Sequence, residues 1–277
     1  MIWMIQVNLK LILFAYFFLD LSLKTVTTPV LMTTSPMAAK PSEGSFQEVS
    51  AVFIPLEEAE LLSKMTSNGF QVNYRYSRTP YLYSDCMTGI QLSLSNLSSE
   101  DLSEVKIGAK NDNVHEFPAV ALLKSNACQN VNIGINFKDS TQAAKFDLVA
   151  SGRVFTLQIQ PRVGELMRPI SMAESSFDAE KAKLRGMNEV EASFDLPSSG
   201  CDDQSIKKKL YQMVNVVQVP ALNEKELKFA GKTVSQKCLV LIALNKLEER
   251  KVRLTVNCEK IVVGNMLVKD IKKCLME

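Results

Sequence analysis

The sequence predicts two units in series: an immunoglobulin-like β-sandwich, then an α+β domain with an antiparallel sheet and helices on one face. Three observations predict this. Short runs of alternating apolar and polar residues recur as far as Ile159, the period of strands with one face buried. Turn signals separate six to eight of these runs, as in a two-sheet sandwich. Beyond Pro161 and Gly164, helical spacing mixes with strand-like runs, the pattern of an α+β unit. The chain has 277 residues, enough for two cores. Its expected divisions are an apolar segment at 1–23, a linker at 24–50, the sandwich at 51–162 and the α+β domain at 163–277.

Residues 11–19 read LILFAYFFL, nine apolar residues after Lys10 and before Asp20. That length suits a signal-peptide core better than a membrane span, which needs about twenty. No small-residue cleavage site follows, so three readings stand: a signal or anchor, a buried segment, or non-native sequence. From Lys24 to Ser50, thirteen of twenty-seven residues are Ser, Thr, Pro or Gly. Such a stretch buries too little to offset the entropy of ordering, and as a flexible tether it would reach about 30 Å. Pro55 and LEEAELLSKM then predict a short helix ended by Asn68 and Gly69.

Phe70, Val72, Tyr74 and Tyr76 alternate as a strand, followed by Ile90, Leu92 and Leu94. Further strands are expected around Val105 to Ile107, Val120 to Leu123, Val131 to Phe137 and Phe155 to Ile159. A helix is expected from Ser176 to Arg185, with Ser175 as N-cap and Gly186 at its end. Ile206, Leu210, Met213, Val214 and Val217 fall at helical spacing, although VNVVQV could close as a strand. LVLIAL at 239–244 suits a buried central strand. Val252, Leu254 and Val256 alternate, Ile261 to Val263 would pair beside them, and Leu267, Ile271 and Leu275 mark a closing helix.

Composition and motifs exclude several classes of function. Thirty-two basic residues against thirty acidic ones give a net charge of +2, which argues against nucleic acid as a partner. His115 is the sole histidine, so paired-imidazole metal sites and proton relays are excluded. There is no GxG phosphate loop, no GxSxG elbow and no CxxC. Six scattered cysteines read as reduced thiols. No enzyme, cofactor or metal is expected.

GINF and DSTQAAKFDL, LQIQPRVGEL, RPISM, LRGMNE at Leu184 to Glu189, VVNVVQVP and FAGKTVS occur in an order that resembles the C-terminal appendage of adaptin-family β subunits of the adaptor-complex-3 type. The resemblance runs to the chain end and back to about Leu61. It implies a sandwich followed by a platform domain, and a non-catalytic role in recruiting accessory and coat proteins through short peptide motifs. Transport to lysosomes and related organelles follows, with cytoplasmic placement on Golgi and endosomal vesicle membranes through the complex. It also implies contact with the other subunits where the family's helical trunk is present. That trunk is missing here, which favours a non-native start for residues 1–23. Phe18 to Ser22, FLDLS, is an incomplete match to a clathrin-box motif, with Ser22 where an acidic residue is expected, and it extends the partner set to clathrin.

Appendages of this family grip peptides in aromatic and aliphatic pockets with a basic rim. Trp3 lies far outside the platform, so a tryptophan-anchored site does not transfer. Lys207, Lys208, Lys209 and Tyr211 are the candidate peptide-contact surface, with Tyr211 as a core-edge residue the alternative. Tyr74, Tyr76, Tyr81 and Tyr83 form the denser aromatic group. The contrasting reading of the whole chain is a secreted or membrane-anchored β-sandwich binding protein, led by the apolar amino terminus and the glycosylation sequon at Asn96.

Overall fold

A computed structural model describes residues 46–197, 202–223, 225–247 and 250–277. The apolar segment, most of the expected linker, Trp3 and FLDLS lie outside these residues. Among the described residues the chain is mostly β, with three antiparallel sheets and three α-helices.

The first sheet is built from β2 (Ala59–Leu62), β3 (Phe70–Pro80), β4 (Thr88–Asn96), β8 (Cys128–Ile135) and β6 (Val114–His115), which lie side by side in that order. The second places β10 (Arg153–Ile159), β9 (Ala144–Ala150), β5 (Leu102–Lys110) and β7 (Val120–Leu123) side by side. The alternation seen in sequence explains how they meet. Val72, Ile90, Leu92 and Ile133 from one sheet and Val105, Phe146, Leu148 and Leu157 from the other share one buried cluster. Burying these faces together is what stabilises both sheets.

LEEAELLSKM is not a helix. Ala59–Leu62 forms β2 against Asn73 and its neighbours on β3, and the chain then turns through Asn68 and Gly69 at positive φ. Leu61 and Leu62 pack on the shared core, and that pairing overrides local helix propensity.

The third sheet uses β1 (Gln47–Glu48), β11 (Met167–Ser171), β12 (Glu189–Asp195), β13 (Val217–Val219), β14 (Glu226–Thr233), β15 (Leu239–Lys246) and β16 (Lys251–Cys258). Their order is β1-β11-β14-β15-β16-β12, with β13 beside β14. The helices are α1 (Glu174–Lys183), α2 (Asp203–Met213) and α3 (Ile261–Met276). Phe229, Ile242, Leu254 and Val256 are covered by Ile206 and Leu210 of α2 and by Leu267 and Ile271 of α3. On the opposite face, Ala230, Leu241 and Ala243 pack with Phe177 of α1.

The expectation of helices on one face is therefore corrected. LVLIAL is apolar on both sides, so β15 needs cover on both faces. Only Phe177 of α1 is buried, which leaves little amphipathic signal to read. Two smaller corrections concern helix starts. Ala173, not Ser175, is the N-cap of α1, and Ile261 to Val263 open α3 instead of pairing as a strand. The last residues of the expected linker also take part in the fold, since Gln47 and Glu48 pair with Ser171 and Ile170.

Among the polar contacts between the first two sheets and the third, two buried ones act as pins. Arg78, a non-glycine residue at φ 51°, donates to both Glu165 carboxylate oxygens at 2.9 and 2.6 Å. It also donates to the Tyr211 and Gln212 carbonyls, each at 2.8 Å, and so satisfies the open end of α2. Asp139 accepts from Thr233 Oγ1 at 2.8 Å and from the Ser235 and Gln236 amides at 2.9 and 3.0 Å. Gly164 lies in the 3₁₀ turn of Val163–Leu166, where a Cβ would sit 2.0 Å from the Met213 carbonyl oxygen. Close approach to α2 explains that glycine.

Candidate functional site

Helix α2 carries the residues singled out in sequence. Asp202 starts it by accepting from the Ser205 amide at 3.0 Å, and Ile206 and Leu210 bury its inner stripe. At roughly 100° per residue, Lys207, Lys208 and Lys209 fan over about 200° of the helix and do not form one patch. Lys208 is exposed, whereas Lys207 and Lys209 are half-buried. Tyr211 is half-buried too, edge-on to Phe229 with ring centroids 6.0 Å apart, and burial pushes its pKa up. It is a core-edge tyrosine, on the helix side that packs inward.

The concave site lies at the C-terminal end of that helix. Gln212 joins Phe53, Leu56, Tyr74, Arg75, Tyr76 and Arg162 around a cleft of about 650 Å³, with Arg78 and Glu165 also in its wall. The lining is mixed: Phe53, Leu56, Tyr74 and Tyr76 give it an aromatic and aliphatic side, and Arg75, Arg162, Glu57 and Glu58 give it charges of both signs. Leu56 is 77% exposed there. Tyr74 and Tyr76, two apart on β3 and hence on one face, meet edge to face at 5.9 Å. The Tyr76 hydroxyl is buried without a hydrogen-bond partner among the described residues. Burial holds its pKa far above the usual phenol value, so it remains a proton donor. A buried unpaired hydroxyl costs about 1–3 kcal/mol.

Lys208 and Gln212 are four residues apart and share one exposed stripe of α2. None of the three candidate lysines lines the cleft, and Lys208 is the exposed one, a turn away from Gln212. The sequence showed the aromatic density at Tyr74 and Tyr76 but not the arrival of Gln212 and Arg162 beside them.

The other two tyrosines belong elsewhere. Tyr81 is buried over Gly134, where a Cβ would come within 2.3 Å of the ring. Its hydroxyl lies 2.8 Å from His115 Nδ1, and His115 stacks on exposed Tyr83 at 4.8 Å. His115 thus lies in β6 within an aromatic cluster.

Asn96 is fully buried, and its amide donates to the Glu100 and Leu123 carbonyls at 2.8 and 3.0 Å. The folded chain offers no room for a glycan there. Cys86, Cys128, Cys238, Cys258 and Cys274 are free thiols. Burial pushes the Cys258 thiol up to about 11. At pH 8, exposed Cys128 is expected to alkylate readily and Cys258 to react only on unfolding. Peptide mapping after a brief maleimide pulse checks this order. Among the described residues, no His, Cys, Asp and Glu side chains group as a metal site, and no helix is long and apolar enough to cross a membrane.

Comparison with known proteins bears on the same chain. Residues 18–142 match the family described as the C-terminal part of the clathrin-adaptor complex-3 beta-1 subunit, and residues 164–275 match AP-3 complex subunit beta-1, C-terminal domain. The AP-3 complex subunit beta-2 of Mus musculus is 36% identical over 222 residues, covering 79% of this chain and 20% of that protein. The AP-3 complex subunit beta-1 of Mus musculus is 32% identical over 277 residues, covering 94% and 25%. Its Homo sapiens counterpart is 32% identical over 267 residues, covering 91% and 24%. The chain spans a quarter or less of the length of these curated relatives.

Proposed function

The chain belongs to the AP-3 complex beta-subunit family, a non-catalytic family whose C-terminal region it carries, and on that premise we propose that it recruits accessory proteins to a vesicle coat. The linker at 24–50 tethers a sandwich at 51–162 and a platform at 163–277. The platform sheet, with helices on both faces, holds one side of the binding site. The coat carries cargo towards lysosomes and related organelles, and the chain works in the cytoplasm, peripheral to Golgi and endosomal membranes. Its partners are accessory and coat proteins bearing short peptide motifs, clathrin among them, and the remaining members of the complex.

The observation that carries this reading is the Tyr74–Tyr76 cleft. It is large enough for a few side chains of an extended peptide, offers Phe53, Leu56, Tyr74 and Tyr76 to apolar ones and Arg75, Arg162, Glu57 and Glu58 to charged ones, and lies at the end of the helix that bears exposed Lys208. Each such contact is weak, but many copies on one membrane raise the effective concentration and make recruitment efficient. Lys207 and Lys209 lie on other sides of α2 and Tyr211 packs on Phe229, so these three stand outside the proposed surface.

The test compares immobilised unaltered chain with Tyr74→Ser/Arg75→Glu and with Lys208→Glu. Cytosolic proteins captured by each are identified by mass spectrometry, with circular dichroism as the check on folding. The proposal expects the cleft double variant to lose most captured accessory proteins and Lys208→Glu to lose those with acidic motifs. Equal capture by all three folded chains overturns it.

A further inference from the structure

The chain's own residues Phe46 to Val49 occupy the open edge of the third sheet in the manner of a bound peptide. Gln47 and Glu48 pair antiparallel with Ser171 and Ile170 of β11, and the Val49 amide donates to the Pro169 carbonyl at 3.1 Å. The Phe46 ring packs against the cluster formed by Ile170, Met172 and Phe177. Glu48 lies 3.6 Å from Arg168 Nη1 and forms an ion pair with Lys232. Its hydrogen bond to Lys232 holds its carboxyl below the usual range.

The strand is only two residues long, and the stretch before it is rich in Ser, Thr, Pro and Gly. It is joined to the sheet by few backbone bonds and by two side chains of opposite character. These are the parts of a short linear motif: main-chain pairing for affinity, an aromatic anchor and a charge for specificity. Arg168 is nine-tenths buried and Lys232 is largely so, which makes a preformed cationic pair beside an apolar notch.

We propose that the β11 edge, with the notch above Phe177 and the Arg168–Lys232 pair, is a binding site for extended peptides carrying an aromatic residue two positions before a glutamate. Phe46 to Val49 fills this site in cis and regulates it by competition. A partner segment with the same pattern adds to β11 only when it displaces β1. The tether keeps the cis segment at a high local concentration, so partner peptides bind the unaltered chain weakly until they are presented many at a time. The site is separate from the Tyr74–Tyr76 cleft and does not rest on that reading.

The probe is a labelled synthetic peptide, GSFQEVSAV, matching residues 44–52, titrated into the full chain by fluorescence anisotropy. Its affinity is expected to rise at least tenfold when the cis segment is disabled by Phe46→Ala/Glu48→Ala. Adding Lys232→Glu to that variant should reverse the gain, and a peptide with lysine in place of the glutamate should restore it. In the unaltered chain, saturating peptide should speed hydrogen exchange of the Val49 amide, a readout that needs no variant. Equal affinity for the unaltered and disabled chains, no effect of Lys232→Glu, or unchanged Val49 exchange at millimolar peptide would overturn the proposal and leave Phe46–Val49 as a fixed part of the fold. Cleft variants leave this binding unchanged, so failure here and failure of the accessory-recruitment reading are told apart.

Discussion

Replacing Arg78 with alanine is expected to lower the unfolding free energy by about 3–5 kcal/mol, the cost of breaking a buried ion pair and stranding its partner. The guanidinium serves three groups at once. It makes the bidentate contact with Glu165, caps the two α2 carbonyls, and lies 5.8 Å from the Phe53 ring centroid. Glu165 and Arg78 side chains are 7% and 2% exposed, so water cannot take over for either. Lysine is expected to recover little, because one ammonium cannot reproduce a planar fork aimed at a carboxylate and two carbonyls. Urea unfolding of wild type, Arg78→Ala and Arg78→Lys checks this. A loss under about 1 kcal/mol for alanine would mean that the pair is solvated and the pin is not structural.

Asp139→Ala is expected to cost about 3 kcal/mol by a different route. The carboxylate is 3% exposed and accepts three hydrogen bonds from the turn after β14. Hydrogen bonds to a charged group contribute about 1.5–3 kcal/mol each, and two of the stranded donors are backbone amides. Asp139 also has φ 52°, a conformation Asp and Asn tolerate better than Ala. Asp139→Asn keeps that tolerance and one acceptor oxygen, so its loss is expected to be about half as large. The same urea series reads both, and equal losses for Ala and Asn would place the whole effect in the charge.

Strands whose alternation serves a single core were legible from sequence, because period two is imposed by the sheet itself. Val72 to Tyr76, Ile90 to Leu94 and Phe155 to Ile159 all take the expected form. LVLIAL was legible as a central strand, yet its second apolar face also implied cover that the weakly patterned α1 supplies. Ala59–Leu62 was misread because local helix propensity is small beside cross-strand pairing with β3.

The site was only partly legible. Lys207 to Tyr211 carry the composition of a basic rim, but helix geometry disperses the lysines and turns Tyr211 towards Phe229. The cleft joins Leu56, Tyr74, Arg162 and Gln212, residues far apart in the chain, and no local pattern announces it. Arg78 and Glu165 stand 87 residues apart and meet only because the fold brings β3 onto the turn before β11. Phe46 to Val49 looked like linker because the Ser, Thr, Pro and Gly content of residues 24–50 masks the four residues that join the third sheet.

The most direct test of the central claim is site-specific photocrosslinking in the intact coat. A benzophenone amino acid is placed at Tyr74 in the cleft, and separately at Leu122, half-exposed on β7 of the other sheet, in a full-length β subunit assembled with its partners. Cleft-mediated recruitment predicts adducts with accessory proteins from position 74, lost on adding excess competing peptide, and none from position 122. Adducts from both positions alike, or from neither, would contradict the account.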